Sequence, residues 1–309
     1  MNSDAVLIAG PTASGKSALG LKLAHALNGV IVNADSMQLY KELPVLTARP
    51  DEEMLATAPH RLYGVLSATE ASSAGNYLEL VRQTLGEIYA EKRLPIFVSG
   101  TGLYFRARTQ GLAVIPPIES ALRDRLRVQL AQEGAESVLA DMRAHDAEEA
   151  GRVEHSDPQR LLRAAEVLLG TGRSLPAWQG DSVKPLLDVA RVKVIVILPE
   201  RERLYARINA RFDAMMASGA LEEARALARL QLPAHMPAMK ILGAPQLLGH
   251  LRGEIDLLEA QEKAKIMSRR YAKRQFTWFR NQKIAENSII VEDSERNISE
   301  ILSFIRKLP

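Results

Sequence analysis

Short apolar runs alternate with longer amphipathic stretches along most of this chain. Ala5–Ala9 (A-V-L-I-A) has the length and composition of a buried strand. Lys16–Leu27 then carries Leu19, Leu23 and Leu27 on one helical face, and Asn28-Gly29 supplies a stop. Further apolar runs at 30–34, 96–98 and 192–198, the last closed by Pro199, bring the predicted strands to four. Strands alternating with helices predict an α/β fold with a parallel sheet covered on both faces.

The pattern changes between 116 and 185, where no strand is evident. Ser120–Glu133, Ala135–His145 and 159–169 read as charged helices. This stretch is predicted to be an all-helical insertion, 116–185, in an α/β core made of 1–115 and 186–309. Beyond 198 the chain is again helical until a short apolar segment at Ser288–Val291.

With 309 residues, 47% hydrophobic and 25% charged, the composition is that of an ordinary globular protein. No apolar run approaches the roughly 20 residues of a membrane span. The N-terminus lacks the basic region of a signal peptide. Cysteine is absent, which excludes disulfides, thiolate zinc sites and cysteine nucleophiles. A cytoplasmic protein acting without a membrane, as a monomer, is the expectation. The net charge of +3 is unevenly placed: Lys263, Lys265, Arg269, Arg270, Lys273, Arg274, Arg280 and Lys283 follow one another with no acid between them. A cationic segment on an otherwise acidic chain suggests a polyanionic partner.

Candidate chemistry begins at G-P-T-A-S-G-K-S, Gly10 to Ser17, between the first strand and the first helix. Gly10 and Gly15 let the backbone curl, so that the loop Gly10, Pro11, Thr12, Ala13, Ser14 and Gly15 wraps a diphosphate and its successive N–H groups, Pro11 having none, can point at phosphate oxygens. Lys16 supplies positive charge, Ser17 a hydroxyl placed for Mg²⁺, and the helix its positive end. The strand at 96–98 ends in S-G-T-G rather than in the metal-holding Asp usual in nucleotide hydrolases. Asp35, at the carboxyl end of the second strand, is the acid nearest the loop by topology, and it can hold magnesium or take a proton. Ser36 and Gln38 offer hydrogen bonds suited to a base edge. Arg203, Arg207 and Arg211 recur every four residues. That face can clamp a diphosphate, with Arg211 as the expected contact, or it can be a solvated face.

G-P-T-A-S-G-K-S, D-S-M-Q-L-Y from Asp35, G-T-G-L-Y from Gly100, D-P-Q-R-L-L-R-A-A-E-V from Asp157 and A-K-R-Q-F-T-W-F-R from Ala272 together resemble the tRNA dimethylallyltransferases. The resemblance implies a P-loop NTPase-like core with a helical insertion, using Mg²⁺. It further implies transfer of a dimethylallyl group from dimethylallyl diphosphate to N6 of adenosine 37, in tRNAs reading codons that begin with U. On this resemblance Asp35 is the general base and Thr101 contacts the reacting groups. The tRNA anticodon stem-loop would meet Asp35, Ser36, Met37, Gln38, Thr101, Arg123, Gln159, Arg160, Leu161, Leu162, Arg163, Arg274, Gln275 and Arg280. Tyr271, Phe276, Trp278 and Phe279 can stack a base, but their near-helical spacing favours packing in the core.

Three positions depart from the family pattern. E-L-P-V-L-T-A-R-P at 42–50 lacks the usual glycines and Asp, Ser99 replaces a glycine, and Ala244 stands where an aromatic is usual. A kinase using ATP shares the phosphate loop but explains neither the Asp157 motif nor the cationic segment. A prenyltransferase acting on free adenine nucleotides also leaves that segment unexplained, and an RNA-binding protein without activity has no need of the loop.

Overall fold

The computed structural model describes residues 4–100, 113, 115–154, 156–180, 185–281, 287–293 and 295–307. Among these residues six strands form one sheet: β1 (Ala5–Ala9), β2 (Gly29–Asn33), β3 (His60–Arg61), β4 (Leu94–Ser99), β5 (Val192–Ile197) and β6 (Ser288–Val291). Their spatial order is β3-β2-β4-β1-β5-β6, and every pair is parallel. The apolar runs lie where the sequence placed them, with ends shifted by a residue or two. β3 escaped notice because two residues, one of them Arg61, make no apolar run.

Because the sheet is buried on both sides, its strands are apolar at successive positions rather than alternate ones. Leu7, Val30, Val32, Phe97, Val194 and Val196 face one core, with Tyr77, Val81, Leu85 and Ile88. These four come from the helix Ala74–Ala90. That helix is absent from the sequence reading, although their spacing fits a helical face. Val6, Ile8, Ile31, Ile96, Val98, Ile195 and Ile197 face the other core, with Leu19, Leu23 and Leu27 of the helix Lys16–Leu27 and Ile301 and Ile305 of Ile298–Arg306.

Met1–Thr109 with Leu186–Pro309 forms one compact unit, and Gln110–Pro185 forms a second. The second contains the helices Ser120–Glu133, Ala135–His145, Ala147–Arg152, Pro158–Thr171 and Leu175–Gln179. Leu126, Val138, Leu139, Met142, Leu161, Ala165 and Leu168 make its core. Asp157 starts the helix Pro158–Thr171, its Oδ1 accepting from the backbone N–H groups of Gln159 and Arg160 at 3.1 Å each. Pro158 at the first position gives up only an N–H that has no intrahelical partner.

Asp157→Ala removes this cap and should cost about 1 kcal/mol, whereas Asp157→Asn keeps an acceptor and should cost much less. Hydrogen exchange at the amides of Pro158–Thr171 reads the difference: faster exchange is expected in the alanine variant alone.

Candidate active site

The phosphate loop is shaped by where β1 ends. A Cβ on Gly10 would lie 2.5 Å from the carbonyl oxygen of Ile197, the last residue of β5, and Gly10 has φ +149°. Only glycine fits. Ala13 (φ 61°) and Gly15 (φ 94°) complete the reversal, and Ser14 N–H donates to the Pro11 carbonyl at 3.3 Å. The helix Lys16–Leu27 has no side-chain cap and no acid in its first turn, so its first N–H groups are open to an anion. Ser14 Oγ is buried without a hydrogen-bond partner among the described residues. Ser17 is exposed.

Asp35 is set in place by Asn33, which is fully buried. The Asn33 amide accepts from Asp35 N–H at 2.8 Å and donates to the carbonyls of Asp35 and Leu62 at 3.0 and 2.9 Å. Asp35 Oδ1 accepts from Met37 N–H at 2.9 Å. Its Oδ2 lies 3.5 Å from the position a Cβ on Gly100 would take, and the Gly10 carbonyl oxygen lies 3.7 Å from that point. The carboxyl ends of β1, β2 and β4 therefore converge at Gly100. Ser99 helps, its hydroxyl donating to the Ala34 carbonyl at 2.9 Å.

Two cations complete the site. Lys16 Nζ donates to the Pro11 carbonyl at 2.5 Å, and Arg211 Nη1 to Thr12 Oγ1 at 3.4 Å. Burial raises the Asp35 carboxyl above its ordinary range, against the Met37 N–H, Lys16 and Arg211, which favour the carboxylate. Burial also lowers Lys16 to about 7, with Asp35 pulling it up and Arg211 pushing it down. Arg211 is lowered by burial and raised by Asp35. Of the arginine row only Arg211 enters the site. Arg203 pairs with Asp293 at 3.1 Å, and Arg207 is exposed.

The flanking D-S-M-Q residues are less free than the sequence implied. Met37 packs against a core of Tyr40, Leu43, Leu46 and Leu247. Gln38 donates both amide protons, to the Thr47 and Ala48 carbonyls at 2.9 Å each, which leaves only its Oε1 for a ligand. Ser36 is half-buried beside them. The glycine-poor segment 42–50 is held by side chains instead: Glu223 accepts from Val45 N–H and Leu46 N–H at 2.6 and 2.8 Å, and Arg49 donates to the Tyr40 and Lys41 carbonyls. Thr101 lies outside the described residues.

The insertion distributes its expected contacts unevenly. Arg123 and Arg163 both approach Glu166, at 3.8 and 3.7 Å, and Arg160 pairs with Glu154 and Asp157. Gln159, Arg160 and Arg163 line a groove of about 590 Å³. Leu161 corrects the sequence reading: it is fully buried in the core of the insertion and has no side-chain surface to offer. Leu162 is half-buried against the same core.

The cationic segment is mostly one helix, Leu257–Asn281. Lys265 is paired with Asp213 and Glu262, Lys263 with Glu259, and Arg269 donates to Asn209. Acids from neighbouring turns and helices therefore neutralise part of a run that contains none itself. Arg270, Lys273, Arg274 and Arg280 are exposed and make no ion pair among the described residues. Phe279 is buried, and Phe276 and Trp278 pack against the sheet core, as their spacing favoured. Gln275 is a second correction. It is 7% exposed, its Oε1 accepts from Thr12 N–H at 2.9 Å, and its Nε2 donates to the Gly100 carbonyl at 2.6 Å. One amide N–H remains unused by these two bonds, but the side chain is buried and lies off the helix's exposed face. Ala244 is likewise a buried methyl.

A family model described as IPP transferase matches residues 38–282, and one described as isopentenyl transferase matches residues 3–71. The chain belongs to the tRNA dimethylallyltransferase family. The tRNA dimethylallyltransferase of Nitrobacter hamburgensis is 52% identical, covering 91% of this chain and 88% of that one. That of Sinorhizobium medicae is 49% identical, covering 90% and 92%. The solved tRNA isopentenylpyrophosphate transferase of Bacillus halodurans is 30% identical, with a TM-score of 0.71 over 98% of this chain and 95% of that one. A eukaryotic dimethylallyltransferase captured in crystallographic snapshots acting on tRNA, 21% identical, shares the fold with a TM-score of 0.78 over 99% of this chain and 80% of that one. Membership makes the protein a prenyltransferase and sets aside the kinase and the inactive RNA-binding protein.

Lys16 gives this family site a testable pH dependence. A bound anion favours the ammonium, so binding takes up a proton wherever the free lysine has lost one. Affinity for inorganic diphosphate should therefore fall as pH rises through about 7. Calorimetry of wild type and Lys16→Met, compared at each pH, cancels the titration of diphosphate itself. The expected gap between the two narrows above pH 7, and a gap constant from pH 6 to 9 would contradict it.

Proposed function

We propose that the protein transfers the dimethylallyl group of dimethylallyl diphosphate to N6 of adenosine 37 in tRNAs reading codons that begin with U, releasing diphosphate. The convergence of Asp35, Lys16 and Arg211 at the carboxyl ends of β1 and β2 supports this reading. In the reaction the bond between C1 of the allyl group and the diphosphate oxygen breaks, and its electron pair leaves with diphosphate. The N6 lone pair forms the new bond to C1, and an N6 proton passes to Asp35.

Each residue has a defined part. Lys16, Arg211 and the open N–H groups of the loop stabilise charge as it builds on the leaving oxygens. Asp35 acts as general base. An exocyclic amine whose lone pair is delocalised attacks better as its proton is removed. The cations beside Asp35 favour its carboxylate, against its burial. Magnesium binds through a few protein oxygens and the substrate's phosphates. The exposed Ser17 hydroxyl beside the loop suits that arrangement, and the described residues contain no cage of three or more acidic, His or Cys ligands. Ser17 would hold the ion, which when bound adds positive charge to the diphosphate.

The tRNA anticodon stem-loop is the proposed polyanion. Arg274 and Arg280, with Lys273, offer an exposed cationic face on one helix; on the insertion Gln159 is exposed, and Arg123, Arg160 and Arg163 reach the surface already paired with Glu166, Glu154 and Asp157. A monomer working in the cytoplasm fits this role. No described helix is long and apolar enough to cross a membrane.

Purified protein incubated with labelled dimethylallyl diphosphate and bulk tRNA should place label in RNA, recovered after digestion as N6-dimethylallyladenosine. Label in free nucleotides alone would favour the acceptor being a mononucleotide. Asp35→Asn should bind both substrates and slow the chemical step by about 10²–10⁴-fold. Recovery of most of the rate at high magnesium would instead make Asp35 a metal ligand. Affinity for tRNA should fall steeply with salt. Neutralising Arg274 and Arg280 together should flatten the slope of log K against log salt by about two if both meet phosphates.

A further inference from the structure

We infer that Gln275 is a positioning residue, fixing the phosphate loop and the end of β4 at one spacing. Along the buried stripe of Leu257–Asn281 the other positions are Ala260, Ala264, Ser268, Ala272 and Phe279, all small or apolar save one hydroxyl. A carboxamide is the exception, and it earns its burial by two backbone hydrogen bonds that reach across 263 and 175 residues of sequence. Its orientation is fixed, since a flipped amide would set donor against the Thr12 N–H and acceptor against the Gly100 carbonyl.

The two backbone groups belong to opposite halves of the site. Thr12 carries the hydroxyl that receives Arg211, on the side of the leaving diphosphate. Gly100 lies against Asp35 Oδ2, on the side of the proton acceptor. A Cβ on Gly100 would stand 2.6 Å from Gln275 Nε2, so the glycine leaves room for this bridge. Gln275 thus sets how far the cation-lined loop stands from the base. It hangs from the helix whose exposed face carries Lys273, Arg274 and Arg280, so the same helix presents cations outward and holds the loop inward.

The role in catalysis rests on the function proposed above. A displacement near 1 Å at a reacting pair can cost about 10²-fold in rate. Gln275→Leu, which leaves both backbone groups unpaired, should lower kcat by about that factor while tRNA affinity stays within about twofold. Gln275→Glu supplies the discriminating readout. Its neutral acid reproduces the amide, with O–H donating to Gly100 and C=O accepting from Thr12, whereas its carboxylate repels the Gly100 carbonyl. Burial and that carbonyl favour the acid, so the variant's carboxyl is raised above the usual ~4.3.

The ratio of Gln275→Glu to wild-type rate, taken at each pH to cancel the titration of Asp35, should be near one at low pH and fall as pH rises. A flat ratio, or a Gln275→Leu variant that is folded by circular dichroism and within twofold of wild type in kcat, would overturn the inference. Titration of inorganic diphosphate, with no acceptor present, gives a second measure. Gln275→Leu should bind about tenfold more weakly than wild type, and equal affinity counts against the bridge. If wild type labels no RNA the proposed function fails, and this diphosphate titration still decides whether Gln275 holds the loop.

Discussion

Three ionisable groups, Asp35, Lys16 and Arg211, are packed closely enough that burial disfavours charge on each of them. Each is partly offset by an opposite charge. The acid holds up both cations, and both cations hold down the acid. Much of the surrounding structure serves this arrangement. Asn33 spends its whole amide on the backbone around Asp35, and Thr12 meets Arg211. The proposed function gives these groups an anion to hold. The open helix start and the Ser14 hydroxyl, which has no partner among the described residues, both lie in the loop that would receive one.

The sheet makes the arrangement possible. In a parallel α/β sheet the carboxyl ends of neighbouring strands open on one edge. The order β2-β4-β1-β5 brings Asp35, Gly100 and Gly10 side by side although 90 residues separate Gly10 from Gly100 in the chain. Close backbone approach at that edge excludes side chains. Gly10 faces the Ile197 carbonyl and has no space for a methyl, and a methyl on Gly100 would displace the Gln275 amide. Where the family's glycines are missing, at 42–50, the loop is held by Glu223, Gln38 and Arg49 instead.

Much of this was legible in the sequence. Five of the six strands coincide with apolar runs, and the P-loop, the four helices named at the outset and the buried aromatics of the last long helix follow from local spacing. Legibility failed at particular places for particular reasons. β3 is too short and too polar to leave a pattern. The pairing of Lys265 with Asp213 and of Arg269 with Asn209 left no sequence signal because those partners lie more than 50 residues upstream. Leu161 sat inside a motif rich in Arg and Gln, so its own apolar character was read as part of a binding surface.

Local order therefore determined which segments become strands, helices and phosphate loop, since hydrophobic period, glycine placement and capping act between residues a few positions apart. Only the folded chain decided which of Arg203, Arg207 and Arg211 enters the site, that Gln38 gives its protons to a loop, and that Gln275 turns inward. Those outcomes depend on partners as much as 263 residues away. A polar side chain on a helix carries no mark of the face it will occupy until the sheet edge beside it supplies a carbonyl and an N–H to satisfy it.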